Sequence, residues 1–317
     1  MAASALFANA YWLFDAASKF LLPSLSVLAL IGAGLLGLAL MRLVPRWQIA
    51  IGALCIAVTI TGFTSLKLAS APDGMKAGTP VMRVYQHNVW IKNPDVGQTV
   101  HAFTESGADI VALIEAAPHK FTLYEAGLAQ DWPYQLTGET PPATYARLRL
   151  LSKYELADGE VHPAYNSPAW LRATVKSPSG DFTILMVHFT RPWPFASPSA
   201  QLRQYAGLVP VLNEIDGPLL LLGDFNSAAW GRLAGRLQRD HGMQVINHLQ
   251  TGTWPNRMPS ELAKLPWPRF MGIPIDLAFC RGEIACGHHR VGPAYGSDHR
   301  SVQFDVQLPA RAPAMRE

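Results

Sequence analysis

Charge is what this chain of 317 residues has least of. Only 15% of it is Asp, Glu, Lys or Arg, against about 25% in a typical soluble domain. The deficit is uneven. Residues 1–75 hold four basic groups (Lys19, Arg42, Arg46, Lys67) and two acidic ones (Asp15, Asp73). The other 242 residues keep 22 of the 26 basic and 21 of the 23 acidic groups, close to neutrality. Such a body does not wrap nucleic acid by counterion release alone. Cysteine is scarce too: three residues and no CxxC or Cys/His pairing, which excludes a disulfide scaffold and a zinc cage. No internal repeat is evident, and a hydrophobic content of 49% excludes a disordered chain. The large part is long enough to bury a full core as one domain.

Long apolar runs are abundant. Between Lys19 and Arg42 lie 22 uncharged residues, and between Arg46 and Lys67 another 20. At about 1.5 Å per helical residue the first covers roughly 33 Å, enough for a hydrocarbon core of about 30 Å. Two such runs in succession predict a transmembrane hairpin over residues 1–67 rather than two soluble core helices or a cleaved signal. Residues 1–18 are also apolar; they either lie in the interface or insert as a third, short segment. Arg42 and Arg46 in the short connecting loop predict that the loop stays cytoplasmic. The expectation is a multi-pass inner-membrane anchor touching lipid through the hairpin, with a linker over 68–80 and a periplasmic body over 81–317. Nothing specifies a protein partner.

Cys55 falls inside the second run and reads as packing. Cys280 and Cys286 either close a small disulfide loop in an oxidising compartment or remain buried thiols. His288 and His289 are adjacent, with diverging side chains on a strand, and read as surface.

The body alternates short β-rich runs with helical or turn-rich stretches. Strands are expected at 81–88, 110–114, 147–151, 171–175, 182–189, 219–222, 275–279 and 301–306, and helices near 98–107, 118–128, 199–214 and 227–240. Runs such as LLLL at 219–222, bounded by Gly and Pro, suit strands buried on both faces. The mixture predicts an α/β sandwich, which periodicity alone does not separate from a doubly wound sheet.

Several of these strands run into polar groups suited to a metal or a phosphate. VYQHN ends at Asn88, VALIE at Glu115, ILMVH at His188, and LLLLGDFN at Asp224 and Asn226; Asp276 opens a strand, and GSDHRSV sets Asp298 and His299 before the last one. A lone Asn or Gly-Asp there is an ordinary turn; six such signals in one body point to chemistry.

With these motifs in this order, residues 80–308 resemble the endonuclease/exonuclease/phosphatase superfamily, the group with the DNase I-like fold. GDFN and SDH are the most specific pieces, and ARLRLLSKYEL (146–156) is similar to the strand before the family's active-site loops. The resemblance implies a four-layered α/β/β/α sandwich, here preceded by the hairpin. It also implies hydrolysis of phosphate esters with Mg²⁺, or Mn²⁺ in its place. Glu115 would be the main metal ligand, with Asn88 and Asp298 beside it. His299 would be the base or phosphate-polarising histidine, oriented by Asp276. Asp224 and Asn226 would orient water and bind the scissile phosphate, and His188 would contact the phosphate or the leaving oxygen. Whether His299, Asp224 or a metal-bound water takes the proton stays open. Thr253 stands where relatives carry Thr before an aromatic, and Arg191 is close enough in sequence to His188 to meet a phosphate oxygen.

The anchor and two aromatic loops, RPWPF (191–195) and LPWPRFMGIP (265–274), favour a lipid or other envelope phosphate as substrate. The runner-up is a nuclease outside the cytoplasm, for which Arg147, Arg149, Arg191 and Arg300 offer a local basic patch. A non-hydrolytic, membrane-tethered binding module is the third reading; it would lack a site residue, and none is missing.

Overall fold

The computed structural model describes residues 12–69, 74–138, 147–192, 194–257 and 268–309. Two six-stranded sheets carry the body. The first has β1 (Met82–Asn88), β2 (Ile110–Ile114), β3 (Tyr134–Gly138), β4 (Leu148–Ser152), β11 (Ala285–Val291) and β12 (Val302–Gln307), in the order β11-β12-β1-β2-β4-β3. The second has β5 (Glu155–His162), β6 (Ala169–Ser177), β7 (Gly180–His188), β8 (Leu219–Asp224), β9 (Gln244–Val245) and β10 (Asp276–Arg281), in the order β5-β6-β7-β8-β10-β9. At the heart of each lies one parallel pair, β1 with β2 and β7 with β8.

Strand alternation explains the layering. Val84, Ile110, Ala112, Ile114, Ile184, Met186, Leu220 and Leu222 meet between the sheets. Their neighbours Tyr85, Val111 and Leu113 face outward onto Phe103, Phe121 and Trp132, beneath α4 (Val96–Glu105) and α5 (Glu125–Asp131). Leu185, Val187, Leu219 and Leu221 face the other way, beneath α6 (Ala200–Glu214) and α7 (Arg232–His241). The result is the four-layered α/β/β/α sandwich.

Several elements differ from the sequence reading. A helix over 118–128 is instead a single turn at Pro118–Lys120 followed by α5. The helix expected from 227 starts only at Arg232. Strands β3, β5, β9 and β11 were not expected. β5 is largely exposed and β11 carries His288 and His289, so neither shows a clean apolar face. His289 is not at the surface: it is buried against Asn247, whose Nδ2 lies 3.1 Å from its Nε2. His288 does point outward, to Asp305. Cys280 and Cys286 form a disulfide joining β10 to β11, and Cys55 is a free thiol within the hairpin.

The first apolar run is α2 (Leu21–Leu40) and the second α3 (Arg46–Ala69), preceded by α1 (Trp12–Ser18). Both long helices are apolar enough to cross a membrane by length and composition, with mean hydropathy 2.1 and 2.0. They are docked on the body rather than merely tied to it. Asp15 Oδ1 accepts from Arg232 N at 2.8 Å, Trp230 Nε1 donates to Ser18 O at 2.8 Å, Ser26 Oγ donates to Phe270 O at 3.0 Å, and Gln250 Nε2 donates to Phe63 O at 2.7 Å. Leu21, Leu22, Leu25 and Leu66 join the apolar layer over the second sheet. Of the linker reading, residues 70–73 lie outside the described residues.

Candidate active site

Both parallel pairs end at the same edge of the sandwich. In register, Asn88 stands beside Ile114, and His188 beside Asp224, itself paired with Asp276. The two sheets are pinned together there, because Gln86 Nε2 donates to Gly223 O at 2.9 Å.

Local sequence holds each group in place. Gly223 has φ +148°, and a Cβ on it would lie 1.9 Å from Val187 O, so only glycine lets β8 pass β7 at this point. Glu115 and Asn226 take left-handed backbone, with φ 56° and 46°, where a Glu costs about 1–2 kcal/mol. Hydrogen bonds fix both turns. Ile91 N donates to Glu115 Oε2 at 2.9 Å, and Asn226 N to Asp224 Oδ1 at 2.8 Å. Strain retained at a cleft fits a functional role.

The polar groups converge. Asp224 Oδ2 accepts from Asn88 Nδ2 at 3.0 Å and Asn226 Nδ2 at 3.3 Å. It lies 3.5 Å from His188 Nε2 and 3.8 Å from His299 Nε2. His188 Nε2 is also 4.0 Å from Glu115 Oε1. His299 Nδ1 is 2.9 Å from Asp276 Oδ2, a contact that fixes the tautomer and turns Nε2 to the cleft. Asp224, Asp276 and His299 are all buried, and their electrostatics follow from that. Burial raises the Asp224 carboxyl to about 6, with Asp276 adding to this and His299 and His188 opposing it. Burial works against a charged His299, but Asp276 and Asp224, with the Asp276 hydrogen bond, outweigh it and raise the ring to about 10.

Arg191 and Thr253 do not join this cluster. Thr253 is fully buried, and its Oγ1 accepts from Ile275 N and Asp276 N, each at 3.2 Å, so it sets the start of β10. Arg191 is exposed and lies over the Phe195 ring. Asp298 adjoins His299; its Oδ2 is 3.4 Å from Trp254 Nε1. Missing from the sequence reading were the buried supports. Ser297 Oγ donates to Asn88 O at 2.6 Å and accepts from His299 N at 3.0 Å. His87 Nε2 is 3.2 Å from His299 O. The available signal was Gln86-His87-Asn88, three polar residues closing an apolar strand, all essentially without exposure.

The site fits a hard divalent cation. Glu115, Asp224, Asp276 and Asp298 bring four carboxylates to one edge, and the Oδ1 atoms of Asp276 and Asp298 are buried without a hydrogen-bond partner. Asp224, Asp276 and His299 offer ligand atoms within 4.8 Å of one another. Their contacts to each other and to two amides already occupy most of those atoms, whereas Glu115 keeps one oxygen turned to the cleft. Carboxylate oxygens of this kind suit hard divalent cations better than softer metals.

Fold and cleft together are those of a phosphate-ester hydrolase. Residues 85–299 match the Endonuclease/Exonuclease/phosphatase family, and the chain belongs to it. Solved structures are similar in fold at low identity. D. rerio TDP2 complexed with single-strand DNA product is 15% identical, with TM-score 0.57, covering 72% of this chain and 99% of that one. Sphingomyelinase C from Streptomyces griseocarneus is 16% identical, with TM-score 0.53 and coverage of 72% and 99%. The endonuclease/exonuclease/phosphatase from Beutenbergia cavernae is 20% identical, with TM-score 0.54 and coverage of 72% of each chain. No curated protein sequence matches the chain significantly.

Proposed function

We propose that this chain is a Mg²⁺-dependent phosphoesterase at the outer face of the inner membrane, acting on the phosphate ester of a lipid or another envelope component. The meeting of Asp224, His299, His188 and Glu115 within about 4 Å contacts carries the reading. Glu115 would hold the cation, with Asn88 and Asp298 beside it. Bound there, Mg²⁺, or Mn²⁺ in its place, offsets charge on the phosphoryl oxygens.

The protein groups divide the remaining work. His299, raised to about 10, is an imidazolium at neutral pH and serves as donor to a phosphoryl oxygen rather than as base. Asp224, raised to about 6, is ionised at pH 7 yet basic enough to take a proton from attacking water. Asn226 and Asn88 hold that carboxylate in place. His188, 3.5 Å from Asp224, is the second imidazole at hand for the phosphate or the leaving oxygen. Asp276 positions His299. Arg191, exposed in the loop that leaves His188, would meet the bulk of a large substrate, and Thr253 acts by fixing Asp276.

The nuclease reading draws support from the D. rerio TDP2 likeness, a structure solved with a DNA product. Its basic patch is weakened, however. Arg149 is buried and engaged by Glu125 and Gln135, and Arg300 is buried as well. The test is the purified full chain in detergent or nanodiscs, assayed side by side on phosphatidyl lipids, sphingomyelin, inositol phosphates, DNA and RNA. Cleavage of a lipid phosphate that needs Mg²⁺ and stops with EDTA supports the proposal. Cleavage of nucleic acid alone replaces it with the runner-up, and metal-independent turnover refutes the site.

A further inference from the structure

The hairpin is too short outside the body to cross a bilayer unaided. The body covers the first turns of α2, at Leu21, Leu22, Leu25 and Ser26, and the last turns of α3, at Val58, Phe63 and Leu66. Beyond Ser26 no residue of α2 joins the body's apolar layer, and from Val27 to Leu40 the helix runs on for fourteen residues, about 21 Å at about 1.5 Å per residue. A hydrocarbon core of about 30 Å leaves roughly 9 Å to be supplied by something else.

The neighbouring surface is built for that depth. Around the docked helix ends stand Leu13, Phe14 and Phe20, all exposed. Two loops of the body join them. The loop after β7 carries Phe195, 69% exposed, and the loop before β10 carries Phe270, 53% exposed. Both loops abut the N-terminal helices: Pro192, Ser197 and Pro198 share a crevice with Trp12, Asp15 and Lys19, and Phe270 O accepts from Ser26. Each Phe has an exposed arginine at hand, Arg191 over the Phe195 ring and Arg269 next in sequence to Phe270. Exposed Phe and Leu with adjoining cations are the composition of a surface that sinks about 5–10 Å into the headgroup and acyl boundary.

These same loops flank the cleft, one leaving His188 and the other entering Asp276. We infer that this collar is immersed in the outer leaflet, continuous with the lipid-facing surface of the hairpin, and that the cleft takes its phosphate from a lipid headgroup at that depth. The inference rests on the membrane and hydrolase reading above and deepens it. The immersed surface makes up the length that the helices lack, and it brings the cleft to the headgroups without lifting a lipid out of the bilayer. A freely tethered body would have neither constraint.

The test uses the full chain in nanodiscs of phosphatidylglycerol and phosphatidylcholine, with Cys55→Ala as background. Phe195→Cys, Phe270→Cys and Glu283→Cys are labelled singly with an environment-sensitive fluorophore. Glu283 is exposed just after β10, which starts at the cleft and ends at the opposite edge, so it reports on the far side. Lipids with a nitroxide on the acyl chain should quench the labels at 195 and 270 several-fold more than the label at 283. Equal quenching at all three positions overturns the inference. Hydrolysis of bis(p-nitrophenyl) phosphate on the same samples reads the hydrolase assignment separately. Quenched but inactive protein refutes that assignment and leaves the immersion standing; active protein with no selective quenching does the reverse.

Discussion

Replacing Asp276 by Asn removes the charge that makes His299 unusual while keeping the shape of the side chain. In the native site the Asp276 carboxylate lies 2.9 Å from His299 Nδ1, and among the influences favouring the charged ring it stands first. The displacement from 6.5 to about 10 corresponds to about 5 kcal/mol of preference for the imidazolium, at about 1.4 kcal/mol per pH unit. Burial works in the opposite direction. Without the Asp276 charge, Asp224 and Asp298 are left to oppose that burial, and the ring should titrate well below its native value. Heteronuclear NMR of the histidine rings, in metal-free protein between pH 5 and 9, reads this directly. Native His299 should stay doubly protonated through pH 9, and the Asp276→Asn ring should be neutral at pH 8. Turnover of a phosphodiester at pH 7 should fall at least about 100-fold, the lower range for loss of a positioned acid–base group. A native ring that is neutral at pH 7, or a variant ring still charged at pH 8, refutes the electrostatic argument.

Gly223→Ala should destabilise the body by several kcal/mol, of the order seen for severe core overpacking. The new Cβ would sit 1.9 Å from Val187 O at φ +148°, and a melting temperature within 2 °C of native, about 0.5–1 kcal/mol for a body of this size, would contradict the packing account. His289 makes stability acid-sensitive. Burial, with His248 adding to it, lowers the ring to about 3 from an unfolded value near 6.5. Its folded affinity for the proton is depressed, so its contribution is full above about pH 6.5 and is lost as pH falls toward 3. Chemical denaturation at pH 7 and pH 4 should show a smaller loss for His289→Gln than for the native chain, and an equal loss would count against this source. Ser297→Ala, which frees Asn88 O and His299 N, should lower kcat about tenfold or more, the loss expected of a misplaced donor, and lower stability by about 1–3 kcal/mol for the buried groups left unpaired; an unchanged kcat would show that the His299 loop needs no such tie.

Most of the central strands were legible because their apolar runs end in Gly, Pro or polar residues. Ile110–Ile114 and Leu219–Leu222 announce themselves by composition. The edge strands were not, since β5 is mainly exposed and charged, and pairing rather than hydrophobic pattern makes it a strand. The site was legible for a different reason. Glu115, His188 and Asp224 each interrupt or end an apolar run, where polarity has no structural purpose. Thr253 and Ser297 were harder, because a hydroxyl that braces a backbone has the same spelling as one that meets substrate; only its partners, Asp276 N for one and Asn88 O for the other, separate the two. The docking of the hairpin on the body was invisible, because it depends on single contacts such as Ser26 to Phe270 O between segments more than 200 residues apart.

The most direct test of the central claim is hydrolysis of bis(p-nitrophenyl) phosphate by the native chain and by Glu115→Ala, with Mg²⁺ and then with EDTA. Glu115 has one oxygen held by Ile91 N and one facing His188, so its loss should cost orders of magnitude in rate, shift half-saturation to higher Mg²⁺ and leave the melting temperature near native. A Glu115→Ala protein that turns over at the native rate, or native turnover indifferent to EDTA, would contradict the account.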